Sequence, residues 1–109
     1  MGEIKTGRRK TDNPRINRPE GEWQEYKGGV YRCLVYLTEE DEGGFSVVAA
    51  QLPGVASQGD SEQEALANIV EAFQGAIEVY KEQGAGIPWL KTPEEPERGA
   101  VQRWVIVHA

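Results

Sequence analysis

One long segment, residues 61–83, has apolar residues that recur at spacings of three and four. This period is typical of an α-helix with one buried face. Ser61 precedes Glu64 by three residues, which predicts a capping box: the Ser61 hydroxyl accepts from the Glu64 amide, and the Glu64 carboxylate accepts from the Ser61 amide. Gly84 is a typical helix terminator. The residues expected to face a core are Leu66, Ile69, Val70, Phe73 and Ile77.

The segments around this helix have the composition of β-strands. Residues 30–38, VYRCLVYLT, carry apolar side chains on both faces and predict a central strand. Residues 45–52 predict a second strand in an antiparallel hairpin, and residues 55–58 predict a short third strand after the turn at residues 53–54. Residues 101–107 predict a last strand. The order β-β-β-α-β indicates an α+β fold, with a mostly antiparallel sheet of about four strands and the helix on one face.

Charge divides the chain into two parts. Six cations and four acids give residues 1–22 a net charge of +2, so the overall −6 leaves −8 on residues 23–109. The first part has too few large apolar residues to form a core, and we expect a mobile tail there. Residues 23–109 are expected to form a single domain. Its acidity argues against a general affinity for nucleic acid or acidic lipid.

The sequence indicates a cytoplasmic protein. No run approaches the roughly 20 apolar residues that span a bilayer, and the N-terminus lacks the apolar core of a secretory signal. Cys33 is the only cysteine, so the chain cannot form an internal disulfide framework.

The stretch from Tyr31 to Trp89 resembles the HicB-like antitoxins of bacterial toxin–antitoxin systems. The matching features follow in order: a hairpin, a Pro-Gly turn, a Gly-Asp-Ser step, an Ala-Leu helix and an Ile-Pro pair at residues 87–88. The resemblance implies a partial ribonuclease H fold and a non-enzymatic protein, paired or orphan, that binds and silences a small RNA-cleaving toxin, HicA. Many members add a DNA-binding module after this one. Only twenty residues follow Trp89, so we expect no specific DNA binding.

Two other functions stay open: a small ribonuclease H-like nuclease, and a homo-oligomeric ligand-binding protein unrelated to toxins. A ribonuclease H site requires an acid on its first strand, because several carboxylates converge on two metal ions. Residues 30–38 contain no acid. We expect the acids at residues 39–42 to form a solvated turn, Asp60 to support the helix start, Cys33 to be a buried inert thiol and His108 to be exposed. No catalytic residue, metal or cofactor is therefore expected.

The last strand and the hairpin turn supply the candidate interface. The last strand, VQRWVIV, is apolar over most of its length, so its edge is expected to pair with a second copy. Trp104 fits either core packing or an interface anchor, since tryptophan is enriched at binding hot spots. Acids in the hairpin turn and on the outer helix face are expected to attract a basic partner. The candidate residues for a partner or oligomer interface are Trp104, Arg103, Val105, Val107, Glu40 and Asp41.

Overall fold

The computed structural model of the chain describes residues 24–25 and 29–109. Its elements are, in chain order, β1 Gln24–Glu25, β2 Val30–Glu39, β3 Phe45–Ala49, β4 Ala56–Gly59, α1 Glu62–Glu82 and β5 Val101–His108. The predicted α+β class and the order of the four main strands and the helix are confirmed. The two-residue strand β1 was not predicted. The tail predicted at residues 1–22 lies outside the described residues.

β2 is the central strand of an antiparallel sheet, as its two apolar faces predicted. β5 pairs with residues 30–37 of β2, and β3 pairs with residues 35–39. β4 follows β3, and β1 pairs with residues 31–32 of β2. Because β5 runs along one whole edge of β2, β1 and β3 share the other edge. The order β5-β2-β3-β4 leaves β5 and β4 as the outer strands of the described sheet.

α1 covers one face of the sheet, which we call the inner face, and this face holds the main core. The predicted helical stripe is confirmed, with Leu66 and Val70 half-buried at its sides. Ala65, which the prediction left out, is fully buried because the first turn of the helix lies close against Gly59 of β4. The buried residues of α1 are Ala65, Ile69, Phe73 and Ile77.

The ends of α1 follow the predicted cap signals with one difference. The Glu64 amide donates to Ser61 Oγ over 3.1 Å. Glu64 Oε1 accepts from the amide of Asp60, at 2.8 Å, and not from that of Ser61. The carboxylate therefore satisfies an amide one residue further from the helix, where the chain leaves β4. Gly84 has a φ of 68° and follows the helix as predicted.

After α1, the chain turns back along the sheet through an aromatic contact. The Trp89 ring lies 5.8 Å from that of Tyr31 and 6.4 Å from that of Phe73, measured between centroids. Trp89 is therefore half-buried and packs against the main core. The Leu90 amide then donates to the carbonyl of Gln51, which ties this part of the chain to the end of the β3 hairpin.

Residues 91–100, the wrapping segment, cross to the opposite face of the sheet, which we call the outer face. The Glu94 amide donates to the Ala50 carbonyl at 2.9 Å, and the Tyr36 hydroxyl donates to the Glu94 carbonyl at 2.7 Å. Ala100 packs against the small core that this crossing closes. The buried members of that core are Leu34, Tyr36 and Ala50. Within the described part of the chain, no helix is long and apolar enough to cross a membrane.

Candidate partner-binding surface

A groove of about 600 Å³ lies on the outer face, between the sheet and the end of the wrapping segment. Tyr36, Val48 and Ala56 form its floor. Val48 is 44% exposed, so the floor offers apolar surface to a partner. We call this feature the acidic groove, because its rim consists of Glu40, Glu94, Glu95 and Glu97.

The rim has an excess of negative charge. All four glutamates are exposed, and among the described residues no lysine or arginine lines the groove. Burial of the phenol raises the pKa of Tyr36, and the negative charge of Glu94 raises this pKa further. Tyr36 therefore stays protonated at neutral pH and donates its hydrogen bond to the wrapping segment. The groove combines a neutral floor with a negatively charged rim.

The β2–β3 hairpin positions Glu40 on this rim. The Glu40 amide donates to the Gly44 carbonyl at 2.9 Å, and the Gly43 amide donates back to the Glu40 carbonyl at 3.0 Å. The Ser46 hydroxyl donates to the Glu40 carboxylate. Asp41, the other predicted acid of this turn, is exposed but does not line the groove. Of the two predicted turn residues, Glu40 therefore lies on the groove rim and Asp41 lies outside the groove.

Trp104 also lies on the outer face, outside the groove. Its cross-strand partner is Leu34, and its side chain is 38% exposed, so core packing does not account for this tryptophan. The Arg32 guanidinium carbon lies 3.5 Å from the centroid of the Trp104 ring, a cation–π contact. Ile106, two residues further along β5, is 46% exposed. Together Trp104 and Ile106 form an apolar surface next to the edge of β5 that pairs with no other strand of the described sheet.

The other predicted interface residues of β5 face α1. Val105 is 8% exposed and Val107 is fully buried in the main core. Arg103 Nε lies 2.7 Å from Glu62 Oε2, and this hydrogen bond and charge raise the pKa of Arg103. The valines are core residues, so they offer a partner only their strand backbone. An interface role for Arg103, Val105 and Val107 stays a prediction, and for the two valines it is limited to the strand backbone.

The residues weighed for catalysis are separated in space. Cys33 is 1% exposed, and burial raises the pKa of its thiol to about 12. His108 and Asp60 are exposed, at the end of β5 and before α1. No group of three or more His, Cys, Asp or Glu side chains that could hold a metal ion occurs in the described ranges.

Three of the four rim acids were missed by the sequence analysis. Glu94, Glu95 and Glu97 belong to a stretch interpreted only as a loop, although three acids in four residues were a visible signal. What the sequence could not show is the contact between Tyr36 and Glu94, which are 58 residues apart.

Two curated proteins are similar to about half of this chain. The UPF0150 protein Ta0767 of Thermoplasma acidophilum is 39% identical over 57 residues, which cover 52% of this chain and 83% of that protein. The UPF0150 protein ssr1765 of Synechocystis is 41% identical over 49 residues, which cover 45% of this chain and 62% of that protein. No protein-family model matches the chain.

Two crystal structures of the antitoxin HicB from Burkholderia pseudomallei have a similar fold. The N-terminal domain of HicB gives a TM-score of 0.56 at 25% identity, over 68% of this chain and 94% of that one. A second HicB structure gives a TM-score of 0.57 at 26% identity, and the match covers 72% of this chain and 62% of that chain. The resemblance to the HicB module is confirmed, and the chain belongs to the UPF0150 family, which is related to HicB-like modules.

Proposed function

We propose that this protein is a non-enzymatic, HicB-like antitoxin module that binds and neutralises a small basic RNA-cleaving toxin of the HicA type. The observation that carries the proposal is the similarity to the HicB N-terminal domain along 94% of that chain. The acidic groove supplies a surface with the charge that such a partner requires.

The chemistry of RNA binding explains this charge. A protein that cleaves RNA presents lysine and arginine side chains to the phosphates. An acidic surface attracts the same side chains, raises the association rate and competes with RNA for them. Lysine and arginine also have apolar stems, which would pack on the exposed part of Val48 while their cationic ends meet the rim.

The side chains of β2 favour binding over nuclease chemistry. The only acid of the strand is Glu39 at its exposed end, and its thiol, Cys33, is buried. The carboxylates of the groove lie on an open rim and are spread over the hairpin and the wrapping segment. They are arranged to attract a cationic surface.

The experiment begins with the neighbouring gene. If the proposal is right, that gene should encode a short basic protein. The two proteins should form a complex, and an equimolar amount of this chain should suppress RNA cleavage by the partner. Alone, this chain should cleave no RNA with magnesium or manganese and should bind no specific duplex DNA. Metal-dependent cleavage by the pure chain that is lost in Asp60→Asn would contradict the proposal and favour a nuclease.

We further propose that two copies pair through β5. Its outer edge is unpaired in the described sheet, and the exposed Trp104 and Ile106 side chains flank that edge. A two-fold axis perpendicular to the sheet would place β5 antiparallel to its copy and bring both side chains into cross-strand contact with those of the copy. Light scattering at high micromolar concentration should return twice the 12.1 kDa chain mass, and Ile106→Lys should reduce it. The mass of a single chain for the unmodified protein would contradict pairing.

A further inference from the structure

We propose that the acidic groove receives the chain's own basic segment, residues 5–10, which competes with a basic partner for the same surface. This segment reads KTGRRK and has four cations and no acid in six residues. Thr6 and Gly7 are small, so the segment can enter a narrow groove in extended form. Its charge is opposite to that of the four glutamates on the rim.

The direction of β1 is compatible with this docking. β1 is antiparallel to β2, with Gln24 opposite Arg32, so the chain enters β1 from the side on which β2 ends. Glu40 lies on that side. Tyr36 on the groove floor is four residues beyond Arg32, a distance of about 13 Å along the strand.

The length of the connection allows this docking. Lys10 and Gln24 are fourteen positions apart in the sequence. A flexible chain of that length has a root-mean-square span of about 20 Å and a maximum of about 46 Å. The groove therefore lies within the ordinary reach of the segment. A short tether gives the segment an effective concentration on the order of millimolar at the groove, so weak charge contacts suffice.

The outer face of α1 is also acidic but is less suited to this segment. Its glutamates are spread along a helix about 30 Å long. Glu62 is paired with Arg103, and Lys81 adds a cation near the end. In the groove, four carboxylates surround one concavity with an apolar floor.

Docking would make the segment an internal competitor. Weakly basic ligands would be excluded from the groove, and a stronger partner would have to displace residues 5–10. This consequence rests on the proposed antitoxin function, whereas the docking itself does not.

A spin label on the full-length chain tests the docking without any partner. Thr6→Cys places the label within the segment, and Cys33 is too buried to react. We expect strong paramagnetic broadening of the amide signals of Val48, Ala56 and Glu97, and little for Glu78 on α1. Because the contacts are ionic, raising the salt to about 0.5 M should remove most of the broadening.

Two matched triple variants of the labelled chain locate the site. Glu94→Gln, Glu95→Gln and Glu97→Gln neutralise the groove, whereas Glu71→Gln, Glu78→Gln and Glu82→Gln make the same charge change on α1. All six side chains are exposed, so both variants should keep the fold, which amide chemical shifts would verify.

The groove variant should abolish the broadening and the α1 variant should preserve most of it. Equal loss in the two variants, no change in either, or no broadening at the groove to begin with would overturn the proposal. Because no toxin is present, this result is separate from the test of antitoxin function.

Discussion

The two faces of the sheet are closed by different means. On the inner face, the 21-residue helix α1 covers a continuous core. On the outer face, the wrapping segment buries only a small cluster and leaves large apolar side chains accessible. The exposed fractions there are 44% for Val48, 38% for Trp104 and 46% for Ile106. The comparison indicates that the inner face determines the fold, whereas the outer face is available for binding.

The difference follows from what each covering element carries. α1 presents an apolar side chain on every turn to the sheet. The wrapping segment contains Pro93, Pro96 and several acids, and it attaches through backbone hydrogen bonds and the Tyr36 hydroxyl. Hydrogen bonds exchanged with water contribute little net stability compared with burial of a large side chain.

The largest contrast between the faces should appear on truncation of one apolar residue from each. Phe73 is 1% exposed under α1, and Phe73→Ala should lower the free energy of unfolding by about 3 to 5 kcal/mol. Val48→Ala on the outer face should cost less than about 1 kcal/mol because Val48 is already half in water. Urea unfolding followed by circular dichroism measures both. A similar cost for the two variants would remove the proposed distinction between the faces.

Replacing each of two glycines by alanine should change the stability of the fold in opposite directions. A Cβ on Gly59 would overlap the Ala65 amide nitrogen and lie 2.8 Å from the Glu64 carbonyl carbon, so Gly59→Ala should cost about 1 to 3 kcal/mol. Gly75 faces open space in the middle of α1, so Gly75→Ala should raise the free energy of unfolding by at most about 1 kcal/mol. Thermal unfolding of the two variants shows whether each substitution lowers or raises the stability. A neutral Gly59→Ala would mean that α1 does not approach β4 so closely.

The inner face was largely predictable from the sequence, because its elements have strong local patterns. The spacing of Ile69, Phe73 and Ile77 identified the helix, and the apolar faces of residues 30–38 identified the central strand. β1 was missed because two polar residues carry no strand pattern. Ala65 was missed because its burial depends on how closely the helix approaches Gly59, which is a tertiary distance.

The outer face was not predictable for a related reason. Charge indicated an acidic domain, and Glu40 was correctly singled out as a surface acid. Its neighbours on the groove rim come from residues 94–97, which reach β2 and β3 only through contacts across half the chain. Local sequence patterns do not encode such a crossing, so the acids were known but their grouping was not.

Burial of Cys33 in the inner core should make stability depend on alkaline pH. The pKa of its thiol is raised from 9.0 to about 12 in the folded chain, so the stabilising contribution is complete below pH 9 and is lost as the pH rises toward 12. At pH 10 the loss should be about 1 kcal/mol. Urea unfolding at pH 7 to 10 checks this. Between pH 7 and 10, the free energy of unfolding should decrease less in Cys33→Ala than in the unmodified chain. An equal decrease in the two proteins would contradict the assignment to Cys33.

If the acidic groove binds a basic partner, the association kinetics of the two proteins test this most directly. The basic RNA-cleaving partner proposed above would be mixed with each of three proteins. These are the unmodified chain, the groove variant Glu94→Gln, Glu95→Gln and Glu97→Gln, and the α1 variant Glu71→Gln, Glu78→Gln and Glu82→Gln. At about 0.1 M salt the groove variant should associate about tenfold more slowly than the unmodified chain, and the α1 variant less than about twofold more slowly. Equal rate constants for the two variants would contradict the claim.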